Sequence, residues 1–201
     1  MKSAVILAGG ESSRFVSDKA FYEVKDKPMI QYVVDKISSI TDQVLIVAGN
    51  RKEESRLRSK VNGVDIFTRD PVEDYGPVAG IYSGLKRSDG DYTALVACDM
   101  PFIKPKIFKL LFNEIGSYDA IIPIHKNGYT ENLHSVLKTD IAVQAVEKTY
   151  KRNQKRIKAV VDKINTLYYP VEEIKIYDKG LTTFTNINYT TDLKNNLEEF
   201  N

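Results

Sequence analysis

Apolar residues along this chain fall into two patterns. Short, mostly apolar blocks, three of them ended by glycine or aspartate, alternate with longer stretches in which apolar positions recur every three or four residues. The blocks predict strands buried on both faces, and the periodic stretches predict amphipathic helices. Residues 3–8 form the first block, ended by Gly9-Gly10; residues 43–48 the second, ended by Gly49-Asn50; residues 64–67 a shorter third; and residues 92–98 a fourth, followed by Asp99. Between them, residues 28–40 carry Met29, Tyr32, Val33, Ile37 and Ile40 at helical spacing behind Pro28, which suits a first helical turn. Residues 52–60 read as a charged helix, 77–87 as a helix opened by Pro77, and 105–115 as an amphipathic helix.

Strands alternating with helices predict an α/β fold with a mostly parallel central sheet and helices on both faces. The remainder is less regular. Residues 120–124 and 132–138 read as strands, 141–161 as a helix broken near Asn153, 174–177 as an edge strand and 191–199 as a closing helix. With no repeat, low-complexity tract or linker, a single domain over 1–201 is the simplest organisation.

Composition narrows the function classes. Of the 201 residues 42% are hydrophobic and 28% charged, which is ordinary for a globular chain. A net charge of +2 argues against a dedicated nucleic-acid binder. The basic stretch 148–158 reads better as a solvated helix face, with one or two cations aimed at an anionic substrate, than as a nucleic-acid contact. The single cysteine excludes an intrachain disulfide and fits a reducing compartment. No apolar run approaches the ~20 residues of a membrane span, and the short apolar stretch at the start is followed at once by Glu11 and Arg14, unlike a signal peptide. A cytoplasmic protein is expected.

In such a sheet ligands bind beyond the carboxyl ends of the strands. That rule singles out four loops: 9–19, 49–51, 69–76 and 99–102. The first, within LAGGESSRFVSDKA, places two glycines and the cations Arg14 and Lys19 after a buried strand. Glycines admit close backbone approach and positive φ, and exposed N–H groups with cations can cradle phosphates; a glycine turn with two solvated cations is the alternative. Neither GxxxxGK[ST] nor GxGxxG is present. In ACDMPF, Asp99 leaves a buried strand where a carboxylate can hold Mg²⁺ or simply cap a turn. Cys98 reads as packing, not as a nucleophile. In RDPVEDYGPVAG, Asp70 can accept hydrogen bonds from a base or ribose, and Gly76, Pro77 and Gly80 let a helix start approach a ligand.

Taken in order, LAGG…R…DK, VAGNR, RD…GPVAGI, CDMPF, TENLHSVL and FTNINYTTDL resemble the molybdenum cofactor guanylyltransferase family, glycine-rich-loop nucleotidyltransferases, over nearly the whole chain. LAGG looks more like the guanylyl-transferring than the cytidylyl-transferring branch. The resemblance implies a Rossmann-like nucleotidyltransferase fold with a nucleotide half (about 1–118) and an acceptor half (about 119–201). It implies transfer of GMP from GTP to the terminal phosphate of molybdopterin, with Mg²⁺ and release of pyrophosphate. Residues carried over are the backbone of Leu7, Ala8, Gly9 and Gly10 around the nucleotide, Lys19 and Arg14 on the phosphates, Asn50 and Asp70 on the nucleoside, and Asp99 on Mg²⁺. His134, Arg156, Asn186 and Asn188 fall on the acceptor side, with a satisfied structural histidine as the alternative for His134; His125 reads as structural or exposed. Other enzymes of cofactor biosynthesis, or acceptor enzymes, are possible partners; nucleic acid and membrane are not expected. Phe15-Val16 departs from the family, which usually has a glycine two residues after the loop arginine. That departure motivates an alternative, a nucleotide-binding regulatory module without turnover. CTP as donor, or a sugar phosphate as acceptor, are the enzyme alternatives.

Overall fold

The structure is a computed structural model that describes residues 1–9, 19–72, 75–188 and 191–192. In chain order the elements are β1 (Lys2–Leu7), a 3-10 turn (Lys19–Phe21), the short strands β2 (Glu23–Val24) and β3 (Lys27–Pro28), α1 (Met29–Ser38), β4 (Gln43–Ala48), α2 (Arg51–Lys60), β5 (Ile66–Arg69), α3 (Pro77–Leu85), β6 (Tyr92–Ala97), α4 (Pro105–Glu114), β7 (Ala120–Ile124), β8 (His134–Lys138), α5 (Thr139–Lys151), α6 (Lys158–Val161), β9 (Thr166–Pro170), α7 (Val171–Ile174) and a second 3-10 turn (Thr182–Phe184).

Seven strands form one sheet in the order β5-β4-β1-β6-β8-β7-β9. Pairing is parallel except at β8, which runs antiparallel to both β6 and β7. The apolar blocks follow from this burial. Alternate residues of one strand feed opposite layers. On one face Ile6, Ile46 and Val96 pack with Ile30, Val33 and Ile37 of α1 and Ile107, Phe108 and Leu111 of α4. On the other, Val5, Leu7, Leu45, Val47 and Leu95 pack with Val78, Ile81 and Leu85 of α3 and Ala142 and Val146 of α5. Each buried Val, Leu, Ile or Phe side chain of this kind contributes about 1.5–3 kcal/mol. Among the described residues no helix is long and apolar enough to cross a membrane.

One expectation changes. Residues 174–177 are not an edge strand: α7 ends at Ile174, and the edge is β9. Ile174 is buried while Ile176 is 74% exposed, so their alternation does not mark one buried face. The long helix does break near Asn153, which takes a left-handed φ of 55°, and it resumes only as the single turn α6. Thr191 and Asp192 are helical, and the rest of the helix expected at 191–199 lies outside the described residues.

The chain leaves β1 toward β4 on one side, and reaches β6 on the other. The strand order thus reverses at β1, the switch point beyond whose strand ends ligands bind in open α/β sheets.

Candidate functional site

A cleft of about 720 Å³ opens at this switch point. Its floor is Leu7, Ala8 and Gly9 after β1, with Ala97, Cys98 and Asp99 after β6. The two strand ends are tied to their neighbours: Ala8 N–H donates to Val47 O (2.8 Å), and Cys98 N–H to Leu7 O (3.0 Å).

One wall is built by backbone approach. A Cβ on Gly9 would lie 2.5 Å from Gly49 N and 2.6 Å from Gly49 Cα, so the loops after β1 and β4 touch there. Gly9 does not take a positive φ; glycine is required for that contact and not for a left-handed turn. Gly80, in the first turn of α3, leaves room for Asp70: a Cβ there would sit 2.8 Å from Asp70 Oδ1. Asp70 and Gly80 both line the cleft, as do Gly76 and Pro77.

Asn50, expected on the nucleoside, is instead committed to the chain. It is the N-cap of α2: Glu53 N–H donates to Asn50 Oδ1 (3.0 Å), and Asn50 Nδ2 donates to Glu53 Oε1 (3.0 Å). Gly49 N–H donates to Glu53 Oε2 (2.9 Å). This is a variant of the capping box in which Glu53 reaches back to the N–H before the cap, that of Gly49, and to the Asn50 side chain. Gly49 and Glu53, on either side of Asn50, line the cleft in its place. The spacing Asn-x-x-Glu before a helix was the signal that assigns Asn50 to the cap and points to Glu53.

At the centre, Lys19 and Asp99 face one another, with Lys19 Nζ 3.5 Å from Asp99 Oδ2. Lys19 also donates to Asn188 Oδ1 at 2.5 Å, and Ile187 N–H donates to Asp99 O at 2.8 Å. The C-terminal segment thereby closes onto both residues. Asn186 lines the cleft, whereas Asn188 reaches it through Lys19. Burial holds the Asp99 carboxyl above its ordinary range, and the Lys19 ammonium only partly offsets this. A carboxylate so placed favours a further cation beside it. Burial, with Asp99 adjacent, pushes the Cys98 thiol well up, which keeps it from acting as a thiolate.

The other wall is the connection 125–133 between β7 and β8. Tyr129, Thr130, Glu131, Asn132 and Leu133 line the cleft, and the sequence motifs assign a site role to none of them. His134, expected near the acceptor, does not reach it. It is fully buried, its ring 4.2 Å from that of Phe108 and 4.8 Å from that of Phe184. Burial lowers its pKa to about 3, so it is a neutral core residue. Arg156 is exposed and does not line the cleft; Ile157 beside it does. Gly10 and Arg14, and the departure at Phe15-Val16, lie outside the described residues.

A family model described as a MobA-like NTP transferase domain matches residues 4–166. A probable molybdenum cofactor guanylyltransferase from Methanosarcina mazei is 32% identical over 200 residues, covering 96% of this chain and 89% of its own. A molybdenum cofactor guanylyltransferase from Desulfosudis oleivorans is 30% identical over 194 residues, covering 96% and 92%. Among solved structures, molybdopterin-guanine dinucleotide biosynthesis protein A from Archaeoglobus fulgidus is similar with a TM-score of 0.82 and 32% identity, over 98% of this chain and 97% of that one. The switch-point cleft, its glycine-built wall and its central Lys19–Asp99 pair thus sit in a chain that belongs to the MobA-like NTP transferase family.

Proposed function

We propose that this chain transfers GMP from GTP to the terminal phosphate of molybdopterin, releasing pyrophosphate and giving the guanine dinucleotide form of the molybdenum cofactor. The observation that carries the reading is the Lys19–Asp99 pair at the switch point, flanked by a backbone-built wall on one side and a polar side-chain wall on the other. The relatives named for this activity support it.

The residue types suit the chemistry. An acceptor phosphate oxygen attacks the α-phosphorus of GTP. The bond from that phosphorus to the oxygen bridging to the β-phosphorus breaks, and pyrophosphate leaves with the electron pair. A phosphate monoester has a second pKa near ~6 and is largely ionised at neutral pH, so no general base is needed. In-line positioning and charge neutralisation are what the protein must supply. Lys19 neutralises phosphate charge, with Arg14 from the first loop as its proposed companion.

Among the described residues no three His, Cys, Asp or Glu side chains gather into a metal cluster. Asp99 would therefore hold Mg²⁺ with phosphate oxygens and water filling the other positions, which is how Mg²⁺ is commonly held beside nucleotides. Bound there, Mg²⁺ supplies positive charge to the reacting phosphates. The nucleotide is read as lying over the 1–118 half and the acceptor over the 119–201 half, in the cytoplasm.

Pyrophosphate release in the presence of Mg²⁺ tests the reading. Release that requires both GTP and molybdopterin, in equal amounts with the dinucleotide product, is expected. Tight GTP binding with no pyrophosphate released would instead make the chain a regulatory module.

A further inference from the structure

Transfer of GMP leaves the flat ring system of the acceptor without a recognition site. We infer that Glu131 and Tyr129 form a subsite for a planar heterocycle carrying an aminopyrimidinone edge, the pterin of the acceptor; this rests on the guanylyl-transfer reading above.

Topology places both residues on the acceptor side. Because β8 runs antiparallel to β6, with His134 opposite Val96, β8 begins at the sheet edge where β6 ends and delivers Asp99. Residues just before β8 therefore face the cleft beside Asp99, one strand farther from β1 than β6 is. Gly9, Gly49, Glu53 and Asp70 lie on the opposite side, after β1, β4 and β5. A nucleotide whose phosphates meet Lys19 and Asp99 and whose base lies against that backbone wall leaves the 125–133 wall to the second substrate.

Glu131 is held as a recognition group would be. Its N–H donates to Pro123 O (2.9 Å), and its carbonyl accepts from His134 N–H (3.0 Å), so the backbone is pinned on both sides. The side chain is only 12% exposed, and its Oε1 lies 2.8 Å from His125 Nε2. Among the described residues Oε2 has no hydrogen-bond partner. An ionised carboxylate has about four lone-pair sites and no donor, and it matches paired N–H groups in parallel. The pterin N3–H and 2-amino group are such a pair. His125, on Oε1, fixes the plane of the carboxylate and leaves both oxygens able to accept.

Tyr129 supplies the face. It is 60% exposed at the rim of the cleft, on a turn in which His125 N–H donates to its carbonyl (2.8 Å) and its own N–H donates to Asn127 Oδ1 (3.0 Å). Its ring centroid is 5.8 Å from that of His125, which places the ring beside the imidazole that holds Glu131. An exposed aromatic face on a pinned turn is a stacking platform for a planar ring.

Guanine carries the same donor edge, so kinetics with each substrate varied in turn must separate the two. In the full-length chain Glu131→Gln, which is isosteric and sets an amide donor against the pterin donors, is expected to raise the KM for molybdopterin roughly 10- to 100-fold, the loss associated with hydrogen bonds to a charged group. The KM for GTP and kcat stay within about twofold. Tyr129→Ala, at an exposed position that folding does not depend on, raises the same KM about fivefold, and Tyr129→Phe restores it. As a separate readout, 6-hydroxymethylpterin, followed by its own fluorescence, binds the wild type and binds Glu131→Gln at least about tenfold more weakly. An unchanged acceptor KM in both Glu131→Gln and Tyr129→Ala overturns the subsite while leaving guanylyl transfer intact, and so does a rise in the KM for GTP instead. If the wild type transfers nothing, the functional reading fails, and the hydroxymethylpterin comparison still decides the subsite.

Discussion

The two walls of the cleft are built by different means. On the β1, β4 and β5 side the strands are parallel, and the wall depends on close backbone approach at glycines: Gly9 against the Gly49 backbone, and Gly80 against the Asp70 carboxylate. On the β7 and β8 side an antiparallel strand is entered through a nine-residue connection, 125–133, and the wall is made of side chains: Tyr129, Thr130, Glu131 and Asn132. A backbone wall offers the same N–H and C=O groups whatever surrounds it, and it tolerates little change in side-chain volume. A side-chain wall can be retuned residue by residue. The contrast suits a donor with a constant triphosphate and an acceptor recognised by its individual edges. Asp99 and Lys19 stand between the two walls.

Substitutions that separate the walls sharpen this contrast, and the largest effect is expected at the centre. Asp99→Asn keeps the side-chain shape and removes the charge that would hold the metal. Turnover at saturating GTP and molybdopterin is expected to fall by about 10³-fold, as for loss of a group that stabilises transition-state charge. Pyrophosphate release measures it, and a loss of only a few fold would remove Asp99 from the chemistry.

On the backbone wall, Gly9→Ala drives a Cβ to within 2.5 Å of Gly49 N. Strain of this kind costs about 1–3 kcal/mol. Urea denaturation is expected to show that loss, together with a raised KM for GTP; wild-type stability would mean that the two loops are free to part.

Behind the side-chain wall, His134 sets a dependence on pH. Its pKa in the folded chain is about 3, lowered by burial, against an unfolded value near ~6.5. Between these values the unfolded chain binds the extra proton. The stability from burying a neutral His134 is therefore complete above about pH 6.5 and is lost as pH falls toward 3, by about 1.4 kcal/mol per unit. From pH 7 to pH 5 that is about 2 kcal/mol. In His134→Phe, which keeps a planar ring between Phe108 and Phe184, the fall in urea stability over this interval is expected to shrink by that amount. An equal fall in both proteins would contradict a buried neutral imidazole.

The smallest effect is expected at Asn50. Asn50→Ala removes the cap of α2, costs about 1 kcal/mol, and changes the KM for GTP less than about threefold. A large change in KM at unchanged stability would return Asn50 to the ligand.

The contrast between the walls also governs how much the chain revealed beforehand. Strands β1, β4 and β6 were legible because burial on both faces makes them nearly unbroken apolar blocks; the strand-end rule then marked the loops that carry Gly9, Lys19, Asp70 and Asp99, whereas Leu7 and Ala8 came from the family resemblance. The edge of the sheet was not legible. Strand β9 is only partly buried, so Leu167, Tyr168 and Tyr169 carry no clean alternation, while Ile174, Ile176 and Tyr177 imitate one without sharing a face. His134 stayed open between acceptor contact and structural residue because a strand buried on both faces gives no periodic sign of which residues point toward a ligand; its burial decides for the core. The capping role of Asn50 was not legible from its place alone, because an asparagine at a strand end suits a ligand or the cap of the next helix; Glu53 three residues on marks the cap. Glu131 and Tyr129 come together through the turn 125–130, whose closure depends on pairing between β7 and β8 that local sequence does not specify.

The most direct test of guanylyl transfer is a comparison of kcat/KM for GTP and for CTP, at saturating molybdopterin and Mg²⁺, with dinucleotide and pyrophosphate both quantified. The expected result is GTP favoured by at least about 100-fold, the order a site built to hydrogen-bond its substrate can reach, with one pyrophosphate released for each dinucleotide formed. CTP used as well as or better than GTP, or GTP bound without pyrophosphate release, would contradict it.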